Sequence, residues 1–64
     1  MLYSASGYID EAIENMNFSV RNHPSLPVLY FQRGVFFQQA NKFREAAMDY
    51  SEALRVIDTF LLNH

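Results

Sequence analysis

Sixty-four residues bound this chain to a single domain near the lower size limit for folding without staples. Half of the residues are hydrophobic and 16% are aromatic, enough for a core, and the lack of cysteine excludes disulfides and thiolate metal sites. Seven acidic and five basic side chains give a net charge of −2 with the signs interspersed, which disfavours nucleic acid as a partner.

Residues 1–6, MLYSAS, are apolar enough to pack, and they read as the last turn of a helix whose beginning is missing, ended by Gly7. The opening MLYSASGYIDEAIE lacks the basic and apolar regions of a signal peptide. No apolar run approaches the ~20 residues of a membrane span. A cytoplasmic protein without a membrane partner is the expectation.

A helical period begins at Ile9, with Ile9, Ala12, Ile13, Met16 and Val20 on one face. Asp10, Glu11 and Glu14 are expected near its first turn and Arg21 in its last, where each suits the helix dipole. Pro24 and Pro27 forbid a continuous helix and bias His23 and Leu26 to extended geometry, so the first helix spans about 9–22. Pro27 or Val28 opens a second helix over about 28–40, with Tyr30, Phe37 and Leu29 near one face. Asn41 is the candidate for the left-handed residue that ends it.

A third helix over about 43–60 places Phe43, Ala46, Ala47, Tyr50, Leu54 and Ile57 on one face, and no proline or glycine stops it before Leu62. Gly34 sits inside the second helix at a cost of about 1 kcal/mol relative to alanine. A close approach of the third helix, permitted by the small residues Ala46, Ala47 and Ala53, would explain it. The expected fold is all-α, with antiparallel helices and a tight hairpin over residues 30–57.

Nothing here points to catalysis. His23 lies in the proline break and His64 is terminal; neither has a serine or cysteine nucleophile motif beside it. Asp10 and Glu14, like Glu45, Asp49 and Glu52, read as solvated helix faces rather than as an acid/base pair. Two separate histidines do not make a zinc site, and no glycine-rich phosphate loop is present, so no enzyme activity, cofactor or metal is expected. Asn17-Phe18-Ser19 fits a glycosylation pattern but falls in a predicted helix, and is read as a false positive.

The first helix maps onto the third at an offset of 34 residues: Ile9 onto Phe43, Glu11 onto Glu45, Ala12 onto Ala46, Met16 onto Tyr50, Val20 onto Leu54 and Arg21 onto Arg55. Gly7 falls opposite Asn41, turn residue against turn residue. With this period the chain resembles the tetratricopeptide repeat family, whose unit is a 34-residue helix–turn–helix. Tyr30 stands at the family's early aromatic position, Gly34 at its small residue and Phe37 at its tyrosine. Phe43 stands at the aromatic that opens the second helix of the unit, Ala46 and Ala53 at its two alanines, and Tyr50 at its late aromatic. In the preceding half-unit Gly7, Ile9, Ala12 and Pro24 match the turn glycine, opening apolar residue, alanine and closing proline.

The chain also departs from the pattern. Arg33 replaces an internal leucine, its stem expected to snorkel and carry the charge to water. Ser19 replaces an alanine, and Asp58 replaces the closing proline.

The resemblance implies a partial repeat over 1–26, one complete repeat over 27–60 and a tail over 61–64. It also implies a function as a protein–protein interaction or scaffold module. Val28, Phe31, Val35 and Gln38, with Gln32 and Gln39 beside them, are expected to face away from the third helix and to line the groove that holds a partner peptide, whose identity is unknown. Phe36 is expected to pack instead. Phe31 and Val35 stand where some relatives carry a carboxylate clamp, so apolar contacts are expected to hold the bound segment. Stacked repeats normally need at least three units. The apolar ends, Ile9, Ile13 and Met16 at one and Phe60, Leu61 and Leu62 at the other, therefore imply self-association. The alternative is a truncated isoform or fragment of a longer array, with a purely structural stacking role.

Overall fold

The computed structural model describes residues 3–63, with side chains from Gly7 onward. Met1, Leu2 and His64, and with them the ends of the expected leading segment and tail, lie outside the described residues. Three helices, α1 (Tyr3–Asn22), α2 (Pro27–Gln39) and α3 (Phe43–Leu62), make up the regular structure, with no strand among the described residues.

α1 starts six residues earlier than its periodicity predicts. Gly7 does not break the chain: its φ is not positive, and a Cβ there would meet nothing within 4 Å. One interior glycine costs a helix only about 1 kcal/mol, which its flanking turns can absorb. Two expectations fall with this. No acidic residue lies in the first turn of α1, so Asp10, Glu11 and Glu14 gain little from the dipole there. Gly7 is also not the turn counterpart of Asn41.

Both breaks form as their residues dictate. Leu26 is extended (φ −100°, ψ 104°) ahead of Pro27, which opens α2 where its missing N–H costs nothing. No side chain caps this end, but the Tyr30 hydroxyl donates to the Pro24 carbonyl at 2.9 Å and ties the break to the helix. At the far end Asn41 is left-handed with φ 63°. The Lys42 N–H reaches the Phe37 carbonyl at 2.8 Å and the Asn41 N–H the Gln38 carbonyl at 3.0 Å, the paired bonds of a Schellman cap. α3 then runs through Asp58 to Leu62, since no proline stands at position 58 to end it.

α2 lies between the other two, packed more extensively on α3 than on α1, and among the described residues α1 and α3 make no close backbone contact. Asn17 and Val20 of α1 meet Arg33 and Tyr30 of α2, and Arg33 and Tyr30 in turn meet Asp49 and Ala53 of α3. Rising numbers on one helix pair with falling numbers on the next, so neighbours run antiparallel. The result is a slab of 49 × 21 × 11 Å, one helix thick.

The core is small: Ile13, Val20, Tyr30, Ala46 and Ala53, the last fully buried, with Leu29 and Val56 packed against it. Gly34 has the close approach its position predicted, but the neighbour is aromatic. A Cβ there would stand 2.6 Å from Cε1 of Tyr50, so any side chain must displace that ring. The buried face of α3 is rotated from the expected one. Ala46, Asp49 and Ala53 point inward, whereas Phe43 and Leu54 are 60% and 57% exposed and Ala47 is exposed. The hydrophobic pattern merged two stripes, one that meets α2 and one on the flank.

Arg33 departs most from expectation. Its guanidinium does not run out to water. Nε and Nη2 donate to the two Asp49 carboxylate oxygens at 2.8 and 2.7 Å, and Nη1 donates to Oδ1 of Asn17 at 2.9 Å. The cation also sits 5.9 Å from the Tyr30 ring centre and 5.7 Å from that of Phe37. Asp49, expected on a solvated face, is only 5% exposed. A buried carboxylate is tolerable only when paired and hydrogen-bonded, and the bidentate arginine supplies both.

Candidate partner-binding surface

With the small residues of α3 and the Arg33 network on its inner side, α2 turns Val28, Phe31, Gln32, Val35, Gln38 and Gln39 outward; all six are exposed. Periodicity explains why they share a side, since positions three, four and seven apart return to one face. They do not form a uniform outward strip. Phe31 and Gln38 lean toward α3 rather than away from it: the Phe31 ring centre is 6.1 Å from that of Tyr50, and the Tyr50 hydroxyl donates to Oε1 of Gln38 at 2.7 Å. On the other flank Gln32 and Val35 join Met16 and the half-buried Phe36 around an open depression of about 370 Å³. Val28 and Gln39 stand toward opposite ends of the helix, outside both groupings.

Met16 of α1 and Tyr50 of α3 thus belong to this surface although the sequence assigned both to core faces. The pattern does place them on apolar stripes. It cannot show that a residue at the edge of a stripe is shared between core and groove.

The surface is apolar with amide and phenol groups at its margins, and none of the six residues is charged. The one cation on α2 is held on its inner side. Asp49, chiefly by hydrogen bonding and secondarily by its charge, raises the Arg33 pKa above its usual value, while burial works in the opposite direction. Such a face can shelter apolar side chains and offer glutamine amides to a peptide backbone, but it offers no counter-charge to a carboxylate or phosphate. Among the described residues no group of three or more His, Cys, Asp or Glu is placed to hold a metal.

No protein-family model matches the chain, and neither a curated protein nor a solved structure matches it. Among the described residues, no helix is long and apolar enough to cross a membrane.

Proposed function

We propose that this chain is a non-enzymatic protein–protein interaction module of the tetratricopeptide type, one complete helical pair preceded by the second helix of another. It would bind an uncharged apolar segment of a partner along the outer face of α2. The observation that carries the reading is the uncharged surface from Met16 across Val35 and Phe31 to Tyr50, apolar and open to solvent on the middle helix. A stacked arrangement is supported by which faces meet α2. α3 uses Ala46, Asp49 and Ala53, whereas α1 uses Asn17 and Val20, which lie on a different side of their helix from Ala12, Asn15 and Ser19, the residues 34 positions before the α3 set. A helix that meets its own pair-mate with one side and the next unit with another is what a solenoid requires.

The test is selection of binding peptides from a displayed random library, followed by titration against the intact chain and Phe31→Ala/Val35→Ala. Uncharged apolar peptides are expected, with affinity for the double variant reduced at least tenfold, as for loss of a central apolar anchor. Selected peptides that bind both chains equally, with helicity retained, would remove the α2 face from consideration.

The second reading, a stacking piece of a larger solenoid, is favoured by the exposed apolar flank of α3. It predicts that no selected peptide competes for α2.

A further inference from the structure

The exposed flank of α3 is more regular than leftover core. Phe43, Ala47, Tyr50, Leu54, Ile57 and Leu61 are spaced alternately by four and three residues, the a/d spacing of a heptad, along nearly the whole helix. Phe43, Leu54 and Leu61 are each more than half exposed, Ala47 is exposed, and Tyr50 and Ile57 are half-buried. A seam of this spacing accepts another helix lengthwise.

Two charges border the seam on the side away from α2: Arg44 in the first turn of α3 and Asp58 near its end. Each is at the wrong end for the helix dipole, which favours anions at the start and cations at the finish. Neither makes a hydrogen bond or ion pair with another described residue of the chain. Their positions have a use if the same helix lies alongside in the opposite direction. A two-fold axis near the middle of α3 then sets Arg44 of each copy beside Asp58 of the other, twice over, while the a and d layers of the seam interleave. A parallel pair would instead gather two arginines at one end and two aspartates at the other.

We propose that two copies of this chain associate antiparallel along the α3 seam, aligned by reciprocal Arg44–Asp58 pairs. The dimer is isologous and closed, so it ends at two chains rather than growing into a stack. Its symmetry leaves both α2 helices on the same side, and Phe31, already against Tyr50, extends the interface toward its copy. Self-association then runs along the α3 flank rather than through the apolar ends expected from the sequence, with one partner and one geometry. It stands on α3 and shares Tyr50 and Phe31 with the margin of the α2 surface.

Sedimentation of the intact chain over a wide concentration range tests it. The expected result is a reversible monomer–dimer equilibrium, with Leu54→Glu monomeric and still helical. Arg44→Asp and Asp58→Arg, each alone, should weaken the dimer about tenfold, since each replaces two attractive pairs by repulsive ones. The double exchange should restore it, and needs no change to the core. A short bis-maleimide should link copies of Ser51→Cys, beside the axis. It should not link copies of Phe43→Cys, which stand about 24 Å apart along the helices. A monomer at every concentration, open-ended oligomers, or single reversals that the double exchange fails to rescue would overturn the proposal. A monomer that still binds selected peptides through Phe31 and Val35 would overturn the dimer alone and leave the α2 reading standing.

Discussion

Arg33 joins α2 to α3 through both oxygens of Asp49 and reaches Asn17 of α1 with its remaining nitrogen. Removing Asp49 leaves the Arg33 cation, about a fifth exposed, with little solvent and no counter-charge. Asp49→Ala is therefore expected to destabilise the chain by about 3 kcal/mol, read from denaturant unfolding. Replacing both, as in Arg33→Met/Asp49→Leu, should recover most of that loss, because the desolvation cost disappears along with the attraction. A double variant no more stable than Asp49→Ala would show that the pair supplies more than neutralisation. The sequence could not reveal this contact. A periodicity reading turns each charge outward helix by helix, and the burial of Asp49 depends on an arginine sixteen residues away on a different helix. Gly34 was the opposite case, because a residue that weakens its own helix announces a close neighbour, although not that the neighbour is a tyrosine ring.

At the scale of elements, the boundaries set by local chemistry were legible and those set by long-range packing were not. Pro27 at the start of α2 and Asn41 beyond its end act through their own backbones, and both are where residue type places them. Asn41→Ala is expected to cost about 1 kcal/mol for forcing a Cβ into the left-handed region, while Asn41→Gly should be neutral or better. Thermal unfolding of the pair checks this, and equal midpoints would mean the cap carries no strain. Gly7 misled because a glycine marks a break only where a turn uses its freedom, and α1 continues through it. The six α2 positions were legible as exposed, but Phe31 and Gln38 are tied to Tyr50. Which side of α3 meets α2 was hidden in a stripe wide enough to serve two faces, and the inward set turned out to be Ala46, Asp49 and Ala53.

At the scale of the molecule, a slab one helix thick has no interior layer, and among the described residues α1 and α3 are each held through α2. The attachments are unequal. α2 and α3 share the Gly34–Tyr50 approach, the bidentate arginine and the buried alanines. α1 is joined to them by a narrower contact around Val20 and a single side-chain hydrogen bond from Arg33 to Asn17 among the described residues. Opening should then be ordered rather than all-or-none. In native-state hydrogen exchange the amides of α1 are expected to become labelled through a local detachment that leaves α2 and α3 protected, so the chain has two cooperative units where its size suggests one. Uniform protection across all three helices would contradict this. A detachable α1 would also uncover the Met16 side of α2 while the Tyr50 side stays fixed, so the binding face could change width without any change in the hairpin that carries it.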